Sequence, residues 1–559
     1  MTNAQIADNF SLLSKLIDIH DADNFKSKTY ANAAFAIENL PTEITELPQE
    51  KIFSIRGIGK SVGEKVIEQL QNGSLSVLQD YLLKTPDGVL EMLQNIKGLG
   101  PKKIAIVWKE MQIESIAELL YACNENRLTN YKGFGEKSQA SIRESIEFYL
   151  GTLGNYLYAQ AEPYAQAFVM AFKNAFAAEL TELTGAFLRQ EDVLNKIEFT
   201  TTISAQQLKS FLTPNGYEVE EENNNEIVFK GKENILLVFY LCAKQNFVVT
   251  QFVKSCSEDF YKEFLKQTSF NVNQSFADEL NLFNAYNLQF IKPCQRANPL
   301  FVELSKANAI PNSIEFLDIK GIIHSHSTWS DGAHTLQQMS TAAKQKGYEY
   351  LVISDHSKTA FYAQGLSVEK VMAQHDEVES LNKALGNFKI FKSIESDILS
   401  DGNLDYENDI LALFDVVIAS IHSNLNMTED KAMFRLIKAI ENPYTSILGH
   451  CTGRLLLGRN GYPINHYKII DACAANNVVI ELNAHPRRLD MDWKFIDYAL
   501  QKQVLISINP DAHNIDGFDD CRYGVLAAQK TTLTKEQNLS SFSLSQFEKF
   551  VLMQKSKRP

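Results

Sequence analysis

The sequence of 559 residues has few cysteines, no long apolar run and no excess of positive charge. Its 7 cysteines stand singly, without a CxxC pair, which is typical of a protein kept in a reducing cytoplasm. No apolar run reaches about 18 residues and the N-terminal segment has no signal-type apolar core, so we expect no membrane span. The net charge of −14 excludes a protein that coats nucleic acid by bulk attraction, although local contacts to phosphate remain open.

Three regions of different character follow one another along the chain. Residues 1–150 have apolar positions at three- and four-residue spacing and Gly-centred turns, which predicts many short helices. Residues 151–315 are mixed, with strand-like pieces at 226–242 and 247–253. From 319 onward, strands alternate with amphipathic helices, which predicts a parallel sheet or barrel with helices outside. At about 150 residues per domain, the length predicts roughly three or four domains.

Histidines are concentrated in the last region, since only His20 of the 11 lies outside 324–513. Most of them follow short apolar runs that end in His, Asp, Glu or Asn. The carboxyl ends of parallel strands in a barrel open on one shared mouth, so these side chains are expected to converge there. Imidazoles and carboxylates that converge can build a hydrolytic site with several metal ions. The runs are 321–326, 350–356, 389–397, 416–422, 446–450, 478–483 and 504–513.

A Gly-x-Gly motif followed by a helix occurs three times, at 55–70, 96–111 and 131–146. Glycine lets the backbone turn sharply and approach a partner, and the following helix N-terminus favours phosphate. One copy would be explained equally well as a joint between two packed helices. Three copies with lysines after the second glycine favour binding to the nucleic-acid backbone. The residues predicted to bind are Gly57, Gly59, Lys60, Gly98, Gly100, Lys102, Lys103, Gly133, Gly135 and Lys137.

Three such repeats, a mixed region and a His-rich barrel resemble the bacterial family X DNA polymerases that carry a C-terminal PHP (polymerase and histidinol phosphatase) domain. The repeats themselves resemble the helix-hairpin-helix motif. The resemblance implies a multidomain protein with an all-α helix-hairpin-helix region, an α+β nucleotidyltransferase-like palm and thumb, and an α/β PHP domain that forms a distorted (β/α)7 barrel. It also implies a monomer. The expected boundaries are 1–90, 91–150 (fingers-like), 151–235 (palm-like), 236–315 (thumb-like) and 316–559 (PHP).

The PHP resemblance also implies a metal centre with three divalent ions, and Mn²⁺, Zn²⁺ and Fe²⁺ all suit its N/O ligands. Asp355 and Asp397 are expected behind the ligands, and His375 on a helix surface. Arg454, Arg488 and Asn483 are candidates for contact with substrate phosphate. Of the ligands, His324, His326, Glu395, His422 and Asp511 are also expected to be catalytic. The nine expected ligands are His324, His326, Asp331, His356, Glu395, His422, His450, Asp511 and His513.

The polymerase motif of the family departs from its pattern here. Ala186 stands where the family has Ser after Gly, and Lys196 and Glu198 stand at the Asp-x-Asp pair. The stretch 235–243, where the third Asp is expected, has no acidic residue. A lysine repels a cation, so we predict that polymerisation is lost and find little support for Mg²⁺ at this site. A shifted alignment that uses Glu191, Asp192 or Glu198 remains an alternative.

A lyase is a further alternative for the N-terminal region. Lys65 matches the position of a Schiff-base lysine in some animal members of the family, but a nucleophilic amine must be neutral. Nothing in the sequence indicates the desolvation or the neighbouring cation that would lower its pKa. A solvated lysine on a helix that faces DNA is the simpler interpretation.

These observations favour a DNA-processing phosphodiesterase. The resemblance implies a 3′→5′ exonuclease of DNA repair that acts on gapped, nicked or single-stranded 3′ ends. It also implies cleavage at abasic sites or removal of groups that block 3′ ends. Three alternatives remain open: a small-molecule phosphatase of the histidinol phosphatase type, a polymerase with weak nucleotidyl transfer, and a scaffold with a structural metal cluster. Salt-dependent DNA binding discriminates the first reading from the phosphatase.

Overall fold

The computed structural model describes residues 1–21, 23–38, 40, 43–231 and 234–559. The chain forms two compact units. The first comprises residues 1–124 and 128–149, and the second comprises 125–127 and 150–559. Among the described residues, none of the helices combines the length and the apolar character needed to cross a membrane.

The first unit is helical, as its three- and four-residue apolar spacing predicts. Buried residues such as Phe10, Leu13 and Ile17 recur on one side of the first helix, which accounts for its amphipathic sequence. The helices are α1 (Asn3–His20), α2 (Asn24–Glu38), α3 (Gln49–Ile52), α4 (Lys60–Asn72), α5 (Ser76–Lys84), α6 (Asp87–Asn95), α7 (Pro101–Ala105), α8 (Ile116–Asn124) and α9 (Glu136–Thr152).

The middle of the chain contains a mixed five-stranded sheet in the order β2-β4-β7-β6-β5. Strands β4 and β7 are parallel and central, and the other pairs are antiparallel. β7 lies between β4 and β6, so the strand that follows the expected boundary after residue 235 belongs to the same sheet as the strands before it. The strands of this sheet are β2 (Thr181–Thr184), β4 (Lys196–Thr201), β5 (Glu218–Glu222), β6 (Glu226–Lys230) and β7 (Leu236–Leu241). The short strands β1 (Tyr156–Leu157) and β3 (Val193–Leu194) pair in a separate antiparallel sheet.

The strand-like piece at 247–253 is a helix, α13 (Phe247–Ser255), and that prediction was wrong. Val249 and Phe252, three residues apart, are buried in one core with Phe264 and Phe283 of later helices. Tertiary packing therefore overrides the strand preference of a Val- and Phe-rich run. Positions 232 and 233 of the other strand-like piece, 226–242, lie outside the described residues. The remaining helices here are α10 (Tyr158–Ala175), α11 (Gly185–Leu188), α12 (Ala205–Leu212), α14 (Glu258–Gln267), α15 (Glu279–Ala285) and α16 (Leu300–Lys306).

Residues 319–559, all of which the structure describes, form the predicted barrel. Its strands are parallel and follow sequence order from β8 to β14. A bridge between Ser325 and Ala512 joins the two ends, so the seven-stranded barrel is nearly closed. The strands are β8 (Gly321–Ser325), β9 (Tyr350–Ile353), β10 (Lys389–Asp397), β11 (Val416–Ser420), β12 (Ile447–Leu448), β13 (Val479–Asn483) and β14 (Ile506–Asn509).

The two faces of the barrel strands pack in separate cores. Ile322 and Leu351 pack in one core with helices of the barrel, whereas Ile323 and Val352 pack with Phe547 of the last helix. Burial on both faces explains why the strands are continuous apolar runs. The helices are α17 (Leu336–Gln345), α18 (Val368–Leu385), α19 (Asn408–Leu411), α20 (Glu429–Ile440), α21 (His466–Asn476), α22 (Ile496–Gln501), α23 (Cys521–Ala528) and α24 (Leu544–Ser556).

Candidate metal centre

The first two candidate ligands stand at the end of β8. The pairing of β8 with β9 shifts register between Ile322 and Ser325, and His324 has a left-handed backbone (φ 65°). A regular strand would send His324 and His326 to one face by alternation, but a bulge aims them here. Nitrogens of both imidazoles still lie with an oxygen of Asp511 in one group whose atoms are within 4.8 Å of one another. The predicted pair therefore shares a site, by a different local geometry.

Glu395, at the end of β10, lies at the centre of the cluster. Its Oε1 atom is 2.9 Å from His450 Nε2 and 3.1 Å from His422 Nε2. The same oxygen is 3.3 Å from His324 Nε2, and Oε2 is 3.0 Å from His356 Nδ1. Since imidazoles surround both oxygens, this carboxylate is placed to bridge two cations.

Asp331, from the loop after β8, forms the opposite side of the cluster. Its carboxylate oxygens are 3.5 Å from His513 Nε2 and 3.6 Å from His356 Nε2. The rings of His326 and His513 stack with 4.1 Å between their centroids. These four residues place ligand atoms within 4.8 Å of one another. They form a second group that could hold a cation.

The nine predicted ligands are thus brought together in space. His356, Glu395 and His422 make a third group with ligand atoms within 4.8 Å. Eight of the nine residues are buried, and the side chain of His422 is 7% exposed. Among the described residues, the buried atoms without a hydrogen-bond partner include His324 Nε2, His326 Nδ1, Asp331 Oδ2 and His513 Nε2. Buried polar atoms rarely lack partners, and divalent cations fit this donor set.

Glu395 and His326 have the protonation states that suit cation binding. Burial raises the pKa of Glu395, but the imidazoles of His422, His324 and His356 outweigh it and hold the pKa well below 4.5. Burial, together with the neighbouring His513 and His356, lowers the pKa of His326 to about 3. Ionised carboxylates and a neutral imidazole are the forms that bind a metal ion.

Glu481 completes the centre and was missed in the sequence. It is fully buried on β13, and its Oε2 atom is 2.7 Å from His324 Nδ1. Its other oxygen accepts hydrogen bonds from the His450 backbone N–H (3.0 Å) and from Asn483 Nδ2 (3.0 Å). A carboxylate behind a ligating imidazole orients the ring and raises its basicity. Its position two residues before Asn483, on the same face of the strand, was the available signal.

Asp397 and Asp355 lie behind the ligands, as expected from the sequence. Asp397 Oδ1 is 2.5 Å from His422 Nδ1. Burial lowers the pKa of His422, but Glu395 and Asp397 outweigh it and raise the pKa to about 10. Asp355 accepts hydrogen bonds from Ser327 and from Gln374 Nε2 (2.6 Å), which fixes the loop after β8.

The three Gly-x-Gly turns have a common geometry. The first glycine of each, at 57, 98 and 133, has a left-handed backbone, with φ of 96°, 82° and 97°. The second glycines immediately precede helices, and a Cβ atom built on them meets nothing within 4 Å. Their folding therefore does not demand glycine, whereas a partner that approaches the backbone would. Lys60, Lys102 and Lys137 are exposed beside the turns, and Lys103 Nζ is 3.4 Å from the Gly98 carbonyl.

Comparison with known proteins relates the whole chain to one family. Residues 1–75 match the helix-hairpin-helix domain family, and 90–147 match the SAM-like helix-hairpin-helix tandem. The DNA polymerase/3′-5′ exonuclease PolX of Bacillus subtilis is 30% identical over 558 residues, which covers 94% of this chain and 95% of the relative. This chain belongs to the bacterial family X DNA polymerases with a C-terminal PHP domain.

Other relatives match only part of this family X chain, and several of them are probable phosphatases. A probable phosphatase of Thermoanaerobacter sp. (strain X514) is 29% identical over 34% of this chain and 77% of its own length. A probable phosphatase of Shewanella sediminis is 29% identical over 29% of this chain and 62% of its own length. These similarities place the chain among metal-dependent phosphoesterases and DNA polymerases of the PolX and PHP type.

The polymerase motif of this family X chain is filled by its own side chains. Glu198 Oε1 is 2.8 Å from Lys196 Nζ and accepts a hydrogen bond from Tyr240 (2.7 Å). The other oxygen of Glu198 accepts a hydrogen bond from the Ala186 backbone N–H (2.9 Å). On β7, the residue paired with Glu198 is Val238.

Asp192, an alternative metal ligand in the sequence, pairs instead with two cations. One oxygen is 2.8 Å from Lys530 Nζ and the other is 3.3 Å from Arg454 Nη2. Glu191 pairs with Arg189 at 3.3 Å. The alternative alignment therefore places its carboxylates in ion pairs within the fold.

Two residues expected to contact phosphate make hydrogen bonds within the protein. Arg454 Nε donates to the Arg488 carbonyl (2.8 Å) and Nη1 to Asp492 (3.0 Å), and Nη2 donates to the Leu489 carbonyl. Asn483 Nδ2 donates to Asp511 Oδ2 (3.0 Å), so this amide orients a ligand. Arg454 and Asn483 thus make contacts within the fold, and their contact with substrate phosphate stays a prediction.

Arg488 and His375 are both buried. Arg488 Nε is 3.6 Å from Asp511 Oδ2, with 6% of its side chain exposed, so it faces the centre. His375 was expected on a helix surface but is buried, with its ring edge against Phe414. Burial lowers its pKa to about 4, with Lys392 adding to the effect.

Proposed function

We propose that this chain is a metal-dependent 3′→5′ exonuclease of DNA repair whose polymerase activity is lost. The observation that carries the proposal is the convergence of nine ligand-type side chains, Glu395 among them, at the mouth of the barrel. Its three groups of ligand atoms support three divalent ions, drawn from Mn²⁺, Zn²⁺ or Fe²⁺. Bound there, such ions would activate water and neutralise charge on a phosphoester.

The residues of the centre have distinct tasks in this reaction. Glu395 joins the two sides of the cluster, and Glu481 and Asp397 hold the rings of His324 and His422 at fixed orientations. Arg488 is the candidate hydrogen-bond donor to the substrate phosphate. Its guanidinium faces Asp511, and the planar guanidinium can donate two N–H groups to a pair of phosphate oxygens.

Loss of polymerisation is supported by the contacts of Glu198. Its carboxylate is bound to Lys196, Tyr240 and the Ala186 amide, so it offers no open oxygen pair to Mg²⁺. Val238 on the neighbouring strand supplies no charge. Polymerases need several carboxylates to hold two metal ions about 4 Å apart. We propose that this region now serves as a scaffold.

Incubation with Mn²⁺ and a 5′-labelled primer on a gapped template, with and without dNTPs, tests this function. Stepwise shortening of the primer is expected in both lanes, and the Glu198→Ala protein should behave in the same way. Extension with dNTPs that disappears in Glu198→Ala would mean that the middle region retains a working polymerase site.

A phosphomonoesterase of small molecules is the second candidate, supported by the similarity of part of the chain to probable phosphatases. The helix-hairpin-helix matches favour DNA. Hydrolysis of histidinol phosphate without shortening of DNA would favour the phosphatase. A scaffold would bind metal and hydrolyse neither substrate.

Replacing Gly59 by alanine should weaken DNA binding without destabilising the fold. Gly59 has φ −81° and open space at its Cβ position, so alanine fits, but its methyl group would meet an approaching phosphate. We expect about a ten-fold loss of affinity, ~1.4 kcal/mol. Titration of labelled DNA by anisotropy at several salt concentrations measures the loss.

The control for this variant is Gln79→Ala, an exposed neutral position on α5. It should leave both affinity and salt dependence unchanged. Equal affinity of Gly59→Ala and wild type at every salt concentration would remove the first turn from the DNA contact.

A further inference from the structure

Arg454 lies between the middle region (residues 151–315) and the metal centre. Its guanidinium reaches the backbone of the loop after β13 through the carbonyls of Arg488 and Leu489. In the same loop it pairs with Asp492 at 3.0 Å. One side chain therefore fixes three points of the loop that follows a strand of the barrel.

The other partner of Arg454 comes from the middle region. Asp192, in the loop between α11 and β3, is 3.3 Å from Arg454 Nη2 and 2.8 Å from Lys530 Nζ. Lys530 is fully buried and also donates to the Gln190 carbonyl (2.9 Å). A buried ammonium needs a paired carboxylate, so Asp192 holds both cations in place.

The loop that Arg454 fixes leads directly to the metal centre. Arg488, whose carbonyl Arg454 binds, directs its side chain to within 3.6 Å of Asp511. Two residues further, the Asp490 carboxylate accepts hydrogen bonds from the Thr452 backbone N–H (2.9 Å) and hydroxyl (2.7 Å). The Asp490 carbonyl accepts one from the Asn483 N–H (2.6 Å), and Asn483 in turn orients Asp511. A short chain of contacts thus joins Asp192 to a predicted ligand.

We propose that Asp192 is a positioning residue for the phosphodiesterase centre: through Arg454 it sets the loop at 484–492 that aims Arg488 and Asp511. The inference rests on the proposed function of that centre. It assigns the middle region a task in hydrolysis, in addition to holding DNA. Removal of a residue that orients a metal ligand lowers metal affinity or activity by about 10- to 100-fold.

The test replaces Asp192 by asparagine and measures hydrolysis of bis(p-nitrophenyl) phosphate with Mn²⁺. This small diester does not depend on the helix-hairpin-helix turns, so altered DNA binding cannot change the result. We expect kcat to fall about ten-fold with little change in KM, because the loop positions groups that act in the transition state. Asp192→Glu should recover part of the loss. Hydrogen exchange of the metal-free protein should be faster at 484–492 in Asp192→Asn.

Two further variants guard against a misfolded protein. Asp192→Asn with Lys530→Met removes both charges of the ion pair and should show the same loss of kcat in a folded protein. Glu191→Gln is the matched control, because Glu191 is next to Asp192 but pairs with Arg189 at 3.3 Å, and it should retain wild-type kcat and exchange.

The outcomes separate the two proposals. Wild-type kcat and unchanged exchange at 484–492, in Asp192→Asn and in Asp192→Asn with Lys530→Met, would overturn the positioning role. Absence of hydrolysis by the wild-type protein with every metal would instead overturn the proposed function, and the exchange measurement would still decide whether Asp192 holds the loop.

Discussion

Replacing Glu395 by glutamine is expected to abolish hydrolysis. Glutamine keeps the shape of the side chain but removes the charge that four imidazoles surround at 2.9–3.3 Å. Neutral amides are poor bridging ligands for divalent ions, so at least one ion per molecule should be lost. We expect the exonuclease rate to fall by roughly a thousand-fold or more, since charge stabilisation of the phosphoester is lost with the ion.

Initial rates on labelled DNA and elemental analysis of the dialysed protein measure this effect. Glu369→Gln provides the control, because Glu369 is exposed in the first turn of α18 of the same barrel. It should keep wild-type rate and metal content. A Glu395→Gln protein with more than about a tenth of the rate and a full complement of metal would show that Glu395 is not a bridging ligand.

Removal of metal by EDTA should abolish hydrolysis and also destabilise the barrel. Without cations, the ionised Glu395, Asp331 and Asp511 lie buried in one cluster with Glu481 behind them. An ion present at about a thousand times its Kd contributes ~4 kcal/mol to folding stability, and that contribution is lost on chelation. The melting temperature of the barrel should therefore fall, and Mn²⁺ or Zn²⁺ should restore both properties.

Differential scanning calorimetry with and without chelator, followed by activity after metal is returned, measures both effects. The Glu395→Gln protein serves as an internal control, since a protein that holds less metal should lose less stability on chelation. An unchanged melting temperature, with loss of activity alone, would mean that the ions do not stabilise the fold.

Much of the barrel and its centre follows from local sequence. Apolar runs that end in His, Asp or Glu predict buried parallel strands, and such strands end at one mouth, where the structure brings the nine candidate ligands together. The helix-hairpin-helix turns also follow from local sequence. Gly57, Gly98 and Gly133 have a left-handed backbone, which glycine adopts without steric cost. The departures at Lys196 and Glu198 are also visible in the sequence alone.

The sequence by itself determined the alternation of strands and helices in the barrel, the candidate ligands and the family, because these depend on residue type and spacing. Only the tertiary structure decided which polar side chains orient other side chains through hydrogen bonds or ion pairs. Glu481 meets His324 across 157 residues, and Asp192 meets Arg454 across 262. Burial of His375 and the helix at 247–255 were decided by packing against distant segments. The physical reason is that a charge or an apolar face takes the partner that folding brings near, and spacing along the chain does not specify that partner.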